Sequence, residues 1–486
     1  MNKGRNKSLW LVLFVILCFW MALPVFQQLI LAFKEYTPAM GMFGSPWVGT
    51  KNFEIATASP HFARIAANSV KLWLISTTCA GLLGLVISLL ASIGKSVKNA
   101  AAAAAAALGL TFVSSDLVVG FIVKNFSQQL IDPSVYPVFF TLAVVLPLAG
   151  ICGFVGSIGV WYAIKNGKDA VKSAVIGCLA GVLLLGFGSF APSAETTQLL
   201  YNPMVYEAAD TLGSYTYRTG LMQSQFSAAS ASMLLQGLIS LIPAVVCAVL
   251  LGLLMKKEKS IVPNISGDEG SISAGSPVTG LVLSAVFVIG YLGISLSFGW
   301  SNAGNMLNVM LPSVVWYVLF ALLGAAIGFA AGLIIRKAVR TFGAGALAVI
   351  GLLMVTFASG QSSLYIMMRS MGLINTFIVT PLASLNSITP ILVMMAVALV
   401  PDVRNDMNLG VIGALAVARQ ALLSVQPNLM VSSRRDMMNP AALMNTAVNG
   451  GADINPLPFI CALLAIIFAL AAGYILYTTL VNEKKI

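Results

Sequence analysis

The sequence predicts an all-α, polytopic integral membrane protein. Three observations carry that expectation. Of 486 residues, 58% are hydrophobic and only 9% charged, where an ordinary soluble domain is about 25% charged. The mean hydropathy is +0.93. Apolar runs recur along the whole length and are continuous, whereas the strands of a membrane barrel alternate apolar and polar residues. A soluble enzyme, a disordered chain and a disulfide scaffold are excluded on the same grounds.

A spanning helix needs about 20 apolar residues at about 1.5 Å rise each. Twelve segments meet or approach that length: 9–33, 69–94, 100–123, 138–164, 173–192, 227–255, 277–299, 309–335, 342–358, 373–400, 409–426 and 456–481. The ninth and eleventh are short. The first follows Lys3, Arg5 and Lys7. It exceeds the apolar core of a signal peptide and lacks a clear small-residue cleavage site, so it reads as a retained anchor. The third opens on the run Ala100–Ala107, strong helix formers whose small side chains suit close helix approach. The external segment 34–68 holds Tyr36, Pro38, Gly41, Gly44, Pro46, Trp47, Gly49 and Phe53. Aromatics mixed with Gly and Pro suit an ordered cap at the membrane interface.

The polar stretch 256–276, rich in Ser and Gly with Pro263, reads as a linker on the cytoplasmic side. It separates a first six-span unit, 1–255, from a second, 277–486. Two six-span halves are a common transporter plan. With both termini inside, seventeen of the 27 basic residues fall in inner loops or tails. These include Lys165, Lys168, Lys172, Arg336, Lys337, Arg340 and Arg404. The positive-inside rule therefore favours this orientation, and it explains the net charge of +11 without nucleic acid as a partner. The lipid bilayer is the partner the composition demands.

The six cysteines all lie in apolar segments and form no CxxC pair, and His61 is the sole histidine. A metal site built from Cys and His is not expected, and neither is any cofactor. Gly94-Lys95-Ser96 resembles the end of a P-loop, but Leu89 stands where the loop requires Gly. No hydrolase or metalloprotease motif occurs, so the chain does not read as an enzyme. Asp116 and Arg419 are charges that fall inside predicted spans. Each costs about 2.5–3.5 kcal/mol on insertion scales, which makes both candidates for an ion or proton relay or for a polar face turned into the bundle.

Several blocks resemble the sugar permeases of bacterial ABC importers. They are Leu23-Pro24, Ala32-Phe33-Lys34-Glu35-Tyr36, Gly44-Ser45-Pro46-Trp47-Val48-Gly49, Asn52-Phe53 and Asn68. They continue with Val118-Val119-Gly120, Asn125-Phe126-Ser127, Leu199-Leu200-Tyr201-Asn202-Pro203 and Tyr215-Thr216-Tyr217-Arg218-Thr219-Gly220-Leu221. The second half is similar to the partner permease of such importers through Ser359-Gly360, Tyr365, Ser370-Met371-Gly372-Leu373-Ile374-Asn375-Thr376 and Asn386. Clear resemblance covers about a third of the chain.

The resemblance implies two permease units in tandem, in a bacterial cytoplasmic membrane, that form a path for a carbohydrate without hydrolysing ATP. It implies cytoplasmic ATP-hydrolysing subunits and an extracytoplasmic solute-binding protein as partners. Tyr36, Trp47, Asn52 and Phe53 would face the binding protein. Lys165, Lys168, Asp169 and Lys172, with Asp402, Arg404 and Asp406, would face the ATPase. The departures are two. The family's E-A-A-x-x-D-G-A docking loop is missing from both places. Glu207-Ala208-Ala209 mimics it, but lies between blocks that the family places outside. Two further readings stay open: a twelve-span ion-coupled secondary transporter using Asp116 or Arg419, and a membrane component that assembles without transporting.

Overall fold

The computed structural model describes residues 2–188, 196–197, 200, 203–257, 276–299, 308, 310–357, 361–401, 406–425, 430–431, 433–444 and 457–482. Its long elements are all helices, so the chain is an all-α polytopic membrane protein. In the first half they are α1 Asn2–Ala32, α2 Phe62–Ser92, α3 Val97–Leu110, α4 Ser115–Asn125, α5 Tyr136–Lys165, α6 Ala170–Leu185 and α7 Phe226–Lys257. The second half holds α8 Val278–Leu296, α9 Val314–Phe342, α10 Ala344–Phe357, α11 Gln361–Ser370 and α12 Val379–Leu385. It continues with α13 Ile388–Ala398, α14 Asp406–Leu423 and α15 Leu457–Val481.

Each of the twelve predicted segments holds helix. Among the described residues, eight helices are long and apolar enough to cross a bilayer. Ten qualify if each of two bent pairs is one span: α3 with α4, bent by 63°, and α12 with α13, bent by 53°. The other two predicted segments are the short ones. Helix α10 has 14 residues, about 21 Å at helical rise, against an apolar core of about 30 Å. Helix α14 carries Asp406, Asn408, Arg419 and Gln420. Most of the predicted linker, 258–275, lies outside the described residues.

Lipid supplies no hydrophobic drive between helices, so small residues and close van der Waals contact must hold them. Helices α2 and α5 run parallel, with Ser76 against Thr141 near one end and Ser88 against Gly153 further along. Helix α6 returns antiparallel to α5. A methyl group built onto Gly181 of α6 would lie 2.6 Å from Cys152 Cα, and one on Gly177 would lie 2.8 Å from Gly156 Cα. The second half repeats the device between α9 and α14. A methyl on Gly328 would meet Val417 Cβ at 2.8 Å, and one on Gly332 would meet Gly413 Cα at 3.4 Å.

The two halves interlock through their first helices. Helix α1 packs against α9, α10 and α11 of the second half, with Phe14 stacked on Phe342 at 6.4 Å. Helix α8 in turn lies on α3 of the first half, where the Thr279 N–H donates to Asn99 Oδ1 at 3.1 Å. The alanine run is the seat of this contact. Ala101, Ala103 and Ala104 are fully buried, and Gly473 of α15 approaches Ala105 from another side. Bulkier residues would hold α8 and α15 away.

Gly328→Leu is expected to force α9 off α14 and destabilise the protein by about 1–3 kcal/mol, the usual range for overpacking. Gly293→Leu serves as the control, because nothing lies within 4 Å of a Cβ there. Denaturant unfolding in detergent, followed by circular dichroism, checks the difference.

Candidate functional site

The break between α3 and α4 is the best-furnished polar feature inside the predicted spans. Helix α3 ends at Leu110 and α4 starts at Ser115. A helix end leaves backbone groups without intrahelical partners, and hydrocarbon offers no water to satisfy them. Arg419 of α14 reaches across from the second half. Its Nε donates to the Phe112 carbonyl at 3.3 Å and its Nη2 to the Val113 carbonyl at 2.7 Å. Its Nη1 donates to Gln420 Oε1 at 3.0 Å. The Ser114 N–H donates to the Tyr291 hydroxyl of α8 at 2.9 Å.

Asp116 sits in the first turn of α4, 6% exposed. A negative charge is favourable at that end of a helix. The structure thus brings both intramembrane charge candidates, Asp116 and Arg419, to one break. Arg419 is 7% exposed, and five guanidinium N–H groups let one side chain serve several acceptors.

The predicted cap, 34–68, is an ordered assembly. Glu35 N–H donates to the Pro46 carbonyl at 2.9 Å and Val48 N–H to the Phe33 carbonyl at 2.9 Å. Phe33 stacks on Trp47 at 5.5 Å and tilts against Phe53 at 5.2 Å. Asn52 is buried, and its Nδ2 donates to the carbonyls of Ala32 and Lys34. The Tyr36 ring meets Phe226 edge-on. Of the four residues expected to face a binding protein, only Trp47 is largely exposed, at 65%; the other three build the cap. Asn68 of α2 donates to the carbonyls of Glu207 and Asp210, and Arg64 pairs with Glu207 at 3.2 Å. Glu207 therefore stands at the cap end, opposite the 165–172 turn.

That turn is tight. Helix α5 ends at Lys165 and α6 starts at Ala170. Gly167 takes φ +65°, which L side chains rarely adopt. Asp169 caps α6 by accepting from Val171 N and Lys172 N at 2.9 and 3.2 Å. The ammonium of Lys165 lies over Trp161, and that of Lys168 over Tyr162. Lys168 and Lys172 are exposed. No room remains between α5 and α6 for a separate docking helix.

The end of α13 lies beside α5 and α6, whose residues share one cleft with Ala396 and Leu399. Asp402 and Arg404 lie outside the described residues. Asp406 is clamped by Arg336, whose Nε donates to Oδ1 at 3.2 Å, and by Lys337 at Oδ2. Arg336 is 1% exposed. Its other nitrogens donate to the carbonyls of Ala398 at 3.1 Å and Pro401 at 2.9 Å, and also to Val400. Arg340 Nη2 joins at the Val400 carbonyl, 2.9 Å away. A cation suits the carbonyl end of α13, and burying it requires full pairing. The charge count treats Arg336 as a loop residue, whereas the structure buries it inside α9. Tyr291 and the glycine stripes were likewise unmarked in the sequence reading, although the spacing Gly324-x-x-x-Gly328-x-x-x-Gly332 is a readable packing signal.

No family model matches the chain, and no curated protein matches it. Among solved structures, the chain is similar to a bacterial alginate ABC transporter in complex with an alginate pentasaccharide-bound periplasmic protein. That likeness has 18% identity and a TM-score of 0.37, over 51% of this chain and 94% of the other.

Arg419→Met removes two hydrogen bonds to backbone carbonyls, each worth about 1.5–3 kcal/mol when one partner is charged. Amide exchange around 111–114 is expected to speed up in Arg419→Met, with Arg419→Lys intermediate. Asp406 gives a pH dependence. Burial alone would raise its carboxyl, but the hydrogen bonds and charges of Lys337 and Arg336 outweigh that and hold it below the ordinary carboxylate range. Its stabilising contribution is therefore complete above about pH 4 and lost as pH falls through the lowered value. Asp406→Asn is expected to reproduce the acid state at neutral pH, read as faster amide exchange over 406–410.

Proposed function

We propose that this chain is the membrane permease of a binding-protein-dependent ABC importer for carbohydrates, with two permease units in tandem. The observation that carries the reading is the convergence of the permease-like blocks. Phe33, Trp47, Asn52, Phe53, Asn68 and the Tyr215–Leu221 block are scattered in sequence yet form one connected cap. Asn52 ties the cap to the end of α1. Asn68 ties α2 to Glu207 and Asp210, and Asp210 pairs with Arg218 of the last block at 2.8 Å. The resemblance is thus internally consistent in three dimensions as well as in order.

In this reading the cap end faces outward, toward a solute-binding protein, with Trp47 as the exposed contact. The opposite end lies in the cytoplasm of a bacterium and meets an ATP-hydrolysing subunit through the turns at 165–172 and 401–406. Lys165, Lys168 and Lys172 present the charge, and Arg336 ties Asp406 at the start of α14 to the carbonyls of Ala398 and Pro401. The chain itself supplies the path and its change of access; the motor supplies the free energy.

Affinity purification in mild detergent from cells expressing the neighbouring genes is expected to recover an ATPase subunit. Reversing Lys165, Lys168 and Lys172 to Glu should reduce that recovery at least tenfold while leaving the protein monodisperse. The break at Asp116 and Arg419 favours one competing reading, an ion-coupled secondary transporter. Uptake that survives deletion of the ATPase and collapses with the proton gradient would replace the importer reading with that one.

A further inference from the structure

The second bent pair is furnished differently from the first. Helix α12 ends at Leu385 and α13 starts at Ile388, with Asn386 and Ser387 between them. Asn386 is 4% exposed and Ser387 3%. Neither Oδ1 nor Nδ2 of Asn386 has a hydrogen-bond partner in the described chain, and neither does the Ser387 hydroxyl. Ser387 occupies the N-cap position of α13 without capping it. Adjacent to this break, Gly188 at the end of α6 lies against Ile388.

Helix α7 borders the same segment, because Cys247 packs on Gly186. On the cap side of Cys247, the buried stripe of α7 carries Ser240 and Gln236, 0% and 1% exposed. The Ser240 hydroxyl and both amide atoms of Gln236 also lack partners among the described residues. The break thus touches the Gly186–Gly188 turn, and Ser240 and Gln236 stand about 10 and 16 Å along α7 from the Cys247 contact with that turn.

Buried polar groups are paired in more than about nine cases in ten, and leaving one unpaired costs about 1–3 kcal/mol. Irregular backbone at membrane depth persists only where protein satisfies it or where it lines a water-filled cavity. Arg419 and Tyr291 provide the first solution at the α3–α4 break. At Asn386–Ser387 the backbone N–H groups are bonded to the carbonyls of Ala383 and Ser384, but the side chains have no partner in the described chain. Three polar atoms on adjacent residues are enough to hold an ordered water, which needs two to four partners.

We infer that the α12–α13 break is a hydrated site that accepts uncharged, hydroxyl-bearing solutes, with Ser240 and Gln236 on its facing wall. All four side chains are neutral donors and acceptors, matched to hydroxyl groups and not to ions. The inference rests on the conduit part of the proposed function and not on a motor, so it is tested without ATPase or binding protein.

The test is thiol labelling of the full-length protein in native membranes. Ser387→Cys and Ser240→Cys change one atom each and should fold. Val393→Cys on α13 and Ala244→Cys on α7 are the dry controls, since both positions lie in the apolar core. The probe is 2-hydroxyethyl methanethiosulfonate, small, neutral and hydroxyl-bearing, with incorporation read by intact mass above the six native thiols of the parent. Both serine positions are expected to label at least tenfold faster than both controls. Equal rates at all four positions would overturn the hydrated site. Faster labelling of Ser387→Cys by the anionic 2-sulfonatoethyl reagent than by the neutral one would overturn the uncharged solute class. Loss of ATPase co-purification would sink the importer reading and leave these rates unchanged.

Discussion

In hydrocarbon, a backbone amide or carbonyl without a partner has no water to fall back on. Every interruption of a helix in this protein must answer that constraint. At the α3–α4 break the answer is a guanidinium from α14 and a phenol from α8. The break is thereby tied to two helices of the other half. At the end opposite the cap the same chemistry recurs, with Arg336 gathering the carbonyls of Ala398 and Pro401. Arginine serves both places because its planar fork can satisfy several oxygens while remaining charged. Each of these arginines is structural first, and any role in transport is exercised through the helices it holds.

The packing follows from the same solvent. Glycines on α5 and α6, and on α9 and α14, bring backbones within van der Waals contact. Dispersion then replaces the hydrophobic drive that lipid withholds. This divides the molecule into tightly joined groups, α2 with α5 and α6, and α9 with α14. Elsewhere the helices meet through an aromatic stack, a few hydrogen bonds and the alanine seat, where a methyl on Gly280 would overlap the Ala102 carbonyl carbon.

Much of this was legible in the chain. The apolar runs marked the helices, and the two shortest of them became the helices that fall short of a span. The cost of an intramembrane charge singled out Asp116 and Arg419 before any geometry was in hand. The Gly, Pro and aromatic content of 34–68 announced an ordered cap. What the sequence concealed is long-range. Arg336 follows an apolar run and reads as a loop cation, and only the arrival of α13 and α14 buries it. Nothing local marks Tyr291 as the acceptor of the Ser114 N–H. Asn52 is buried and Phe53 half-buried, so both also build the cap. The breaks themselves have weak local signals, since Asn386-Ser387 alone does not end an apolar pattern.

The exchange of first helices between halves also bears on how the protein is made. Helix α1 is synthesised long before α9, yet Phe14 finds its stacking partner in Phe342. Through most of synthesis that face of α1 has only lipid and the insertion machinery for company. The fold closes by returning to its own beginning, so maturation is a late, global event. Nascent chains halted before α9 would expose an unfinished seam to membrane quality control.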